Sequence, residues 1–249
     1  MKIKKIFMVT AMITAISLSL ASYPTVYAES KNAEMVSGDY ITSTSLNEYQ
    51  EYLQSLPKEM QIKVQEKHNA TKLLSMQPLA RAATATKVTI PGTFSMYRQL
   101  EDNYCVPACV QSALGYINSS TPPTQAAIAR AMGTSSSGTD RTKIPEYMNS
   151  QQSKCLYIIN TNTTQTSICT AIYNTITNDE VPTFMSIENT TGSNWYYSTS
   201  GHCLINNGIY SDYSKILFSD PLGGTQAGYP TFFEKDASVV APMCKQVVY

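Results

Sequence analysis

The sequence predicts an α+β fold in which helices, grouped early, pack on an antiparallel sheet formed by the later part of the chain. Two observations carry this. Apolar residues recur at helical spacing up to about Asp179, and beyond it period-two, β-branched and aromatic runs take over. Helices and strands are thus segregated, whereas a parallel sheet would need them to alternate.

Taken in order, the chain opens with MKIKKIFMVTAMITAISLSLASYPTVYA, in which Lys2, Lys4 and Lys5 precede an apolar stretch from Ile6 to Leu20 and a small-residue site at Val26-Tyr27-Ala28. That is the pattern of a secretory signal peptide cleaved after Ala28, and the stretch falls short of the roughly 20 apolar residues a bilayer span needs. A secreted or extracellular product without stable membrane insertion is expected. Removal of residues 1–28 takes away three lysines and no acids, leaving 15 basic against 18 acidic side chains. A net charge of about −3, with no basic cluster interleaved with aromatics, argues against a nucleic-acid partner.

Residues 29–86 form a polar segment predicted to hold two helices. Ser45-Leu-Asn-Glu48 reads as a capping box for the first, with Leu46, Tyr49 and Leu53 on one face. Pro57 suits the first turn of the second, which carries Met60, Val64 and Lys67. Helices this short need a surface to pack on, most simply the domain that follows. Met76 to Lys87, small and polar, reads as an exposed linker or processing site.

From Lys87 the elements change. Val88–Ile90 is a brief strand. A loop then leads into a buried helix with Cys105 at its N-terminus and Val106, Val110, Ala113, Leu114 and Ile117 on its stripe, capped by Asp102 or Asn103. A second helix runs from the cap Thr124 to Met132 with Gly133 as its stop, a third follows Asp140 through Ile144, Tyr147 and Met148, and a fourth spans Thr166 to Thr177. Strands follow at Val181–Ile187, Cys203–Tyr210, Lys215–Ser219 and, with interruptions, Val239–Val248.

The sequence holds two histidines, His68 in the polar segment and His202 in the strand-rich half. Any imidazole chemistry of the main domain therefore falls to His202, and His68 reads as solvent-facing. A thiol at a helix N-terminus has its thiolate favoured by the helix dipole and the free amides, which is the position of Cys105. Asp220 closes a strand 18 residues after His202, from where a carboxylate reaches an adjacent antiparallel strand and fixes the ring; Asn206 or Asn207 offers the same service. Gln99 lies six residues before Cys105, so its amide can join the Cys105 backbone N–H in binding an oxyanion. Trp195, seven residues before His202, fits either a groove wall or the core. Gly201 leaves room for a substrate or a second helix to approach beside His202.

The run Gln99-Leu-Glu-Asp-Asn-Tyr-Cys105-Val-Pro-Ala-Cys-Val-Gln111, then Gly201-His202 before a hydrophobic strand, then Ser219-Asp220-Pro221, resembles the C39-type peptidases of the papain-like superfamily over about Thr86 to Tyr249. The resemblance implies a papain-like fold, thiol-dependent hydrolysis of peptide or protein substrates without metal or other cofactor, and catalytic roles for Cys105, His202, Asp220 and Gln99. It further suggests that residues 29–86 are an inhibitory propeptide, a permanent helix pair being the alternative. The chain departs from the family in having Val106 where glycine usually follows the nucleophile, a change that crowds the approach to Cys105. An amidase or transpeptidase would use the same groups, and an inactive papain-fold binding module would keep the fold alone. With six cysteines and Cys105 free, at least one more thiol is unpaired within the chain. A Cys105–Cys109 disulfide is disfavoured, because side chains four apart on a helix stand about 5–6 Å apart at Cβ and a disulfide wants about 3.8 Å. A zinc set of Cys105, Cys109, His202 and Cys203 is opposed by the opposite facing of strand neighbours His202 and Cys203.

Overall fold

The structure is a computed structural model that describes residues 38–76, 84–190, 195–223 and 229–249. The signal-peptide reading of residues 1–28, and most of the Met76–Lys87 linker, lie outside these residues.

A two-residue strand, β1 (Asp39–Tyr40), is followed by α1 (Ser43–Ser55) and α2 (Lys58–Met76). The cap of α1 differs from expectation. Thr42 takes extended backbone and accepts from Ser45 N at 3.0 Å, while Thr42 N donates to Ser45 Oγ at 3.3 Å, so a Thr-Ser pair closes the box one turn before Ser45–Glu48. Glu48 instead binds Lys143 at 2.8 Å. Helix α2 begins after Pro57 as predicted, whose carbonyl accepts from Gln61 N at 3.0 Å.

Strand β2 (Lys87–Thr89) precedes α3 (Cys105–Asn118), α4 (Gln125–Ala131), β3 (Thr139–Asp140), α5 (Lys143–Gln151), β4 (Ile159–Asn160) and α6 (Gln165–Asn174), the last ending in a π-turn over Thr175–Asp179. Then come β5 (Thr183–Ile187), β6 (His202–Tyr210), β7 (Lys215–Ser219), β8 (Phe232–Asp236), the short helix α7 (Ala237–Val240) and β9 (Cys244–Val248). Thr124 and Thr164 cap α4 and α6 by accepting from Ala127 N and Ser167 N. The end of the chain corrects the sequence reading. Val239 lies in a helical turn, and Pro242, which has no N–H to give a ladder, stands between that turn and β9.

The main sheet orders its strands β4-β9-β5-β6-β7-β8, and β2 also pairs with β6. Every pairing in it is antiparallel. Helices α3 and α6 pack on β6, where Val106, Val110, Leu114, Ile168 and Ile172 meet Leu204, Ile205 and Ile209, all at most 1% exposed. The fold is thus α+β, with an apolar core between helices and sheet.

The helix pair of residues 43–76 is docked on this domain. Tyr49 Oη accepts from Ile159 N at 3.0 Å, and Lys67 Nζ reaches Leu156 O at 2.9 Å and Asp179 at 3.1 Å. Strand β1 pairs with β3 in parallel, Thr139 N bonding Gly38 O and Arg141 N bonding Tyr40 O. No helix among the described residues is long and apolar enough to cross a membrane.

Candidate active site

Cys105 is the first residue of α3, and no side chain caps that helix. Neither Asp102 nor Asn103 takes the predicted role: Tyr104 is the N-cap, and Asn103 Nδ2 donates instead to Ser135 O at 2.5 Å. Pro107 has no N–H and Ala108 N bonds Tyr104 O, so the Cys105 and Val106 amides are left without a side-chain acceptor at the positive end of the helix.

His202 opens β6 and Asp220 directly follows β7, and the β6–β7 register that places Ile205 opposite Ser219 brings the two side chains together. His202 Nε2 lies 2.9 Å from Asp220 Oδ1. Asp220 thus takes Nε2 and leaves the other ring nitrogen, Nδ1, for Cys105, and the thiol and the ring influence each other's protonation. Burial works against a charged ring, but the Asp220 carboxylate, its hydrogen bond and the Cys105 sulfur together carry the His202 pKa up to about 10. Burial pushes the Cys105 thiol up, and the His202 contacts oppose that without reversing it. Cys105 is fully buried, and the covered thiol is held neutral.

Asp220 has two further partners, Leu222 N donating to Oδ1 at 2.8 Å and Tyr197 Oη donating to Oδ2 at 2.5 Å. The Tyr197 ring also stands edge-on to the imidazole, centroids 5.6 Å apart at 89°. Sequence reasoning missed Tyr197; its place five residues before His202 in an aromatic run was the available signal. Asn206 is turned away and accepts from Thr183 Oγ1 at 3.1 Å, which leaves Asp220 as the group on the ring.

Gln99 N donates to Pro221 O at 3.0 Å, tying the loop before α3 to the residue after Asp220. Its side-chain amide donates to Glu101 O and Asp102 O, both at 3.1 Å, and its buried Oε1 has no partner among the described residues. The loop therefore winds around this amide. Cys105, His202 and Asp220 are brought together, while the Gln99 N–H groups are engaged by the loop.

Trp195 belongs to the core, packed against Phe218 and Phe233 with centroids 5.5 and 5.4 Å away. His68 is half-buried, and burial and neighbouring Lys67 lower its pKa, so the solvent-facing reading is corrected. All six cysteines are free, and Cys109 Sγ lies 3.3 Å from Cys203 O. Val106 is fully buried among core residues.

The model of the Peptidase_C39 like family matches residues 92–240, a span that holds Gln99, Cys105, His202 and Asp220. The chain belongs to this family. The C39-like assignment agrees with the papain-like arrangement described above, a cysteine heading a buried helix opposite a histidine on an antiparallel sheet. Two solved structures are similar to the C39-like chain. One is the peptidase domain of Streptococcus ComA, a bi-functional ABC transporter involved in a quorum sensing pathway: 10% identity, 63% of this chain and 97% of that one covered, TM-score 0.42. The other is a protein described as a C39-like peptidase from Bacillus anthracis: 11% identity, 66% and 96% covered, TM-score 0.44. None of the curated proteins matches the chain.

Proposed function

We propose that this C39-like chain is a secreted cysteine peptidase with a Cys105–His202–Asp220 triad, held latent by residues 29–86. The observation that carries the reading is the 2.9 Å contact of His202 Nε2 with Asp220, which leaves Nδ1 for a thiol at the N-terminus of α3. Once Cys105 is uncovered its thiol loses its proton to water, and the thiolate, paired with the His202 imidazolium, attacks the scissile carbonyl. The Cys105 backbone N–H binds the oxyanion, and the Gln99 amide joins it on turning away from the Glu101 and Asp102 carbonyls. The imidazolium then protonates the leaving amine, and water attacks the acyl-enzyme with His202 as base. Asp220, braced by Tyr197, holds the ring and its tautomer.

The complete burial of Cys105 supports a latent resting state, and the docked strand and helices of residues 38–76 support their reading as the inhibitory segment. The export reading rests on residues 1–28. Two experiments test the proposal. Mass spectrometry and N-terminal sequencing of material from the culture medium should find a form beginning beyond residue 76 that cleaves peptides; a fully active form beginning near Glu29 would overturn the propeptide. Cys105→Ala and His202→Ala should each abolish peptide cleavage by that processed form.

A further inference from the structure

The segment Gly38–Asp39–Tyr40, whose last two residues are β1, runs past Gly201. On one side it pairs with Thr139–Asp140, and on the other its backbone lies against Gly201, the residue before His202. The approach admits no side chain: a Cβ on Gly38 would collide with the Gly201 carbonyl, one on Gly201 with the Asp39 carbonyl, and one on Gly138 with the Gly38 carbonyl. The room that Gly201 leaves beside His202 is filled by the chain's own N-terminal segment.

Asp39 directs its carboxylate into the protein, where its side chain is 0% exposed. Ser186 Oγ donates to Oδ2, and Arg141 Nη1 stands 3.5 Å from Oδ1. The Arg141 side chain is 1% exposed, and its Nε and Nη1 have no hydrogen-bond partner among the described residues. Its remaining counter-charge is Glu188, 2.5 Å from Nη2. A guanidinium buried this deeply needs its charge balanced. One balancing carboxylate belongs to the domain, and the other is delivered by the segment proposed to leave. The Asp39 backbone carbonyl lies against Gly201, the residue next to His202, so the pocket that Asp39 fills borders the strand that carries the histidine.

Resting on the peptidase reading, we propose that Arg141 and Ser186 form an acid-accepting pocket of the substrate groove, that Asp39 plugs it in the latent chain, and that the activated enzyme takes peptides with a carboxylate side chain there. A bidentate-capable guanidinium with a hydroxyl beside it suits a carboxylate and leaves an amide of the same shape with two N–H groups facing a cation. A large cavity elsewhere, of about 370 Å³ and bounded by Thr89, Phe94, Asn207 and Phe232, has no titratable side chain in its wall and offers no such selectivity.

The test uses the full chain and the rate of Cys105 alkylation by iodoacetamide, mapped by mass spectrometry. Asp39→Ala should speed the reaction at least tenfold, and Ser186→Ala, a milder change, should speed it less. In the Asp39→Ala protein, an added peptide copying residues 38–44 should slow alkylation again, and the same peptide with Asn in place of Asp should not. Adding Arg141→Gln should erase the difference between the two peptides, with the Ser186→Ala background serving the same purpose should that protein fail to fold. Equal protection by both peptides, or an Asp39→Ala rate equal to wild type, would overturn the pocket. Failure of the peptidase reading looks different: alkylation of the Asp39→Ala protein would be unaffected by His202→Ala.

Discussion

At Asp220 two oxygens serve three neighbours, Oδ1 the His202 ring and Leu222 N and Oδ2 the Tyr197 hydroxyl, so the carboxylate cannot rotate without breaking these bonds. A buried hydrogen bond to a charged group is worth about 1.5–3 kcal/mol. Tyr197→Phe should lower the unfolding free energy by about that much in urea titration. Asp220→Asn should reduce peptide turnover by roughly 10⁴-fold, since the amide favours the wrong imidazole tautomer. The raised His202 pKa makes a pH prediction. The folded state holds the proton more tightly than the unfolded chain, so this contribution to stability is complete below about 6.5 and is lost as pH rises toward about 10. Unfolding midpoints should fall over that window, and His202→Gln should flatten the fall. Cys105, His202 and Asp220 were legible in the sequence because each sits at an element boundary that local pattern reveals. Asp39, Ser186 and Arg141 were not. Asp39 and Ser186 are 147 positions apart, and neither has a neighbour in sequence that hints at the other.

Element by element, the helices were legible wherever an apolar stripe repeated, and the long central strands wherever residues alternated. The two-residue strands β1, β3 and β4 were not, because pairs so short carry no period. Strand β8 was missed for another reason. Phe-Phe-Glu-Lys-Asp lies at the sheet edge, where Glu234 binds Lys87 at 3.0 Å and Lys215 at 3.3 Å, and such charged edges guard against further strand pairing. Docking of the helix pair hangs on a few bonds that bury backbone groups. Tyr49→Phe leaves the buried Ile159 N–H without its acceptor, a loss of about 1–3 kcal/mol. Limited proteolysis should then cut α1 faster than in the wild type while the residues from β2 onward stay protected. Equal cutting rates would show that the helix pair is held elsewhere.

For the molecule as a whole, the sheet and α3 bring Cys105, His202 and Asp220 together, and in the proposed latent state the segment before α1, which lies against Gly201, covers them. Covering has an electrostatic consequence, because a thiol without water is held neutral, and the same thiol beside His202 at an open helix N-terminus gains thiolate character. The sequence indicated that residues 29–86 pack on the domain but not that Gly38–Tyr40 lies against Gly201. That contact follows from the three-dimensional path of the chain, and Gly201 alone hinted at it. The central claim, a peptidase built on Cys105 and His202, is tested most directly by peptide-library cleavage with the uncovered Asp39→Ala protein, alone and with Cys105→Ala or His202→Ala added. The account predicts cleavage by Asp39→Ala and none above background once either group is removed. Cleavage that survives the loss of Cys105 would contradict it, as would an uncovered Cys105 that cleaves nothing and is alkylated equally fast with and without His202.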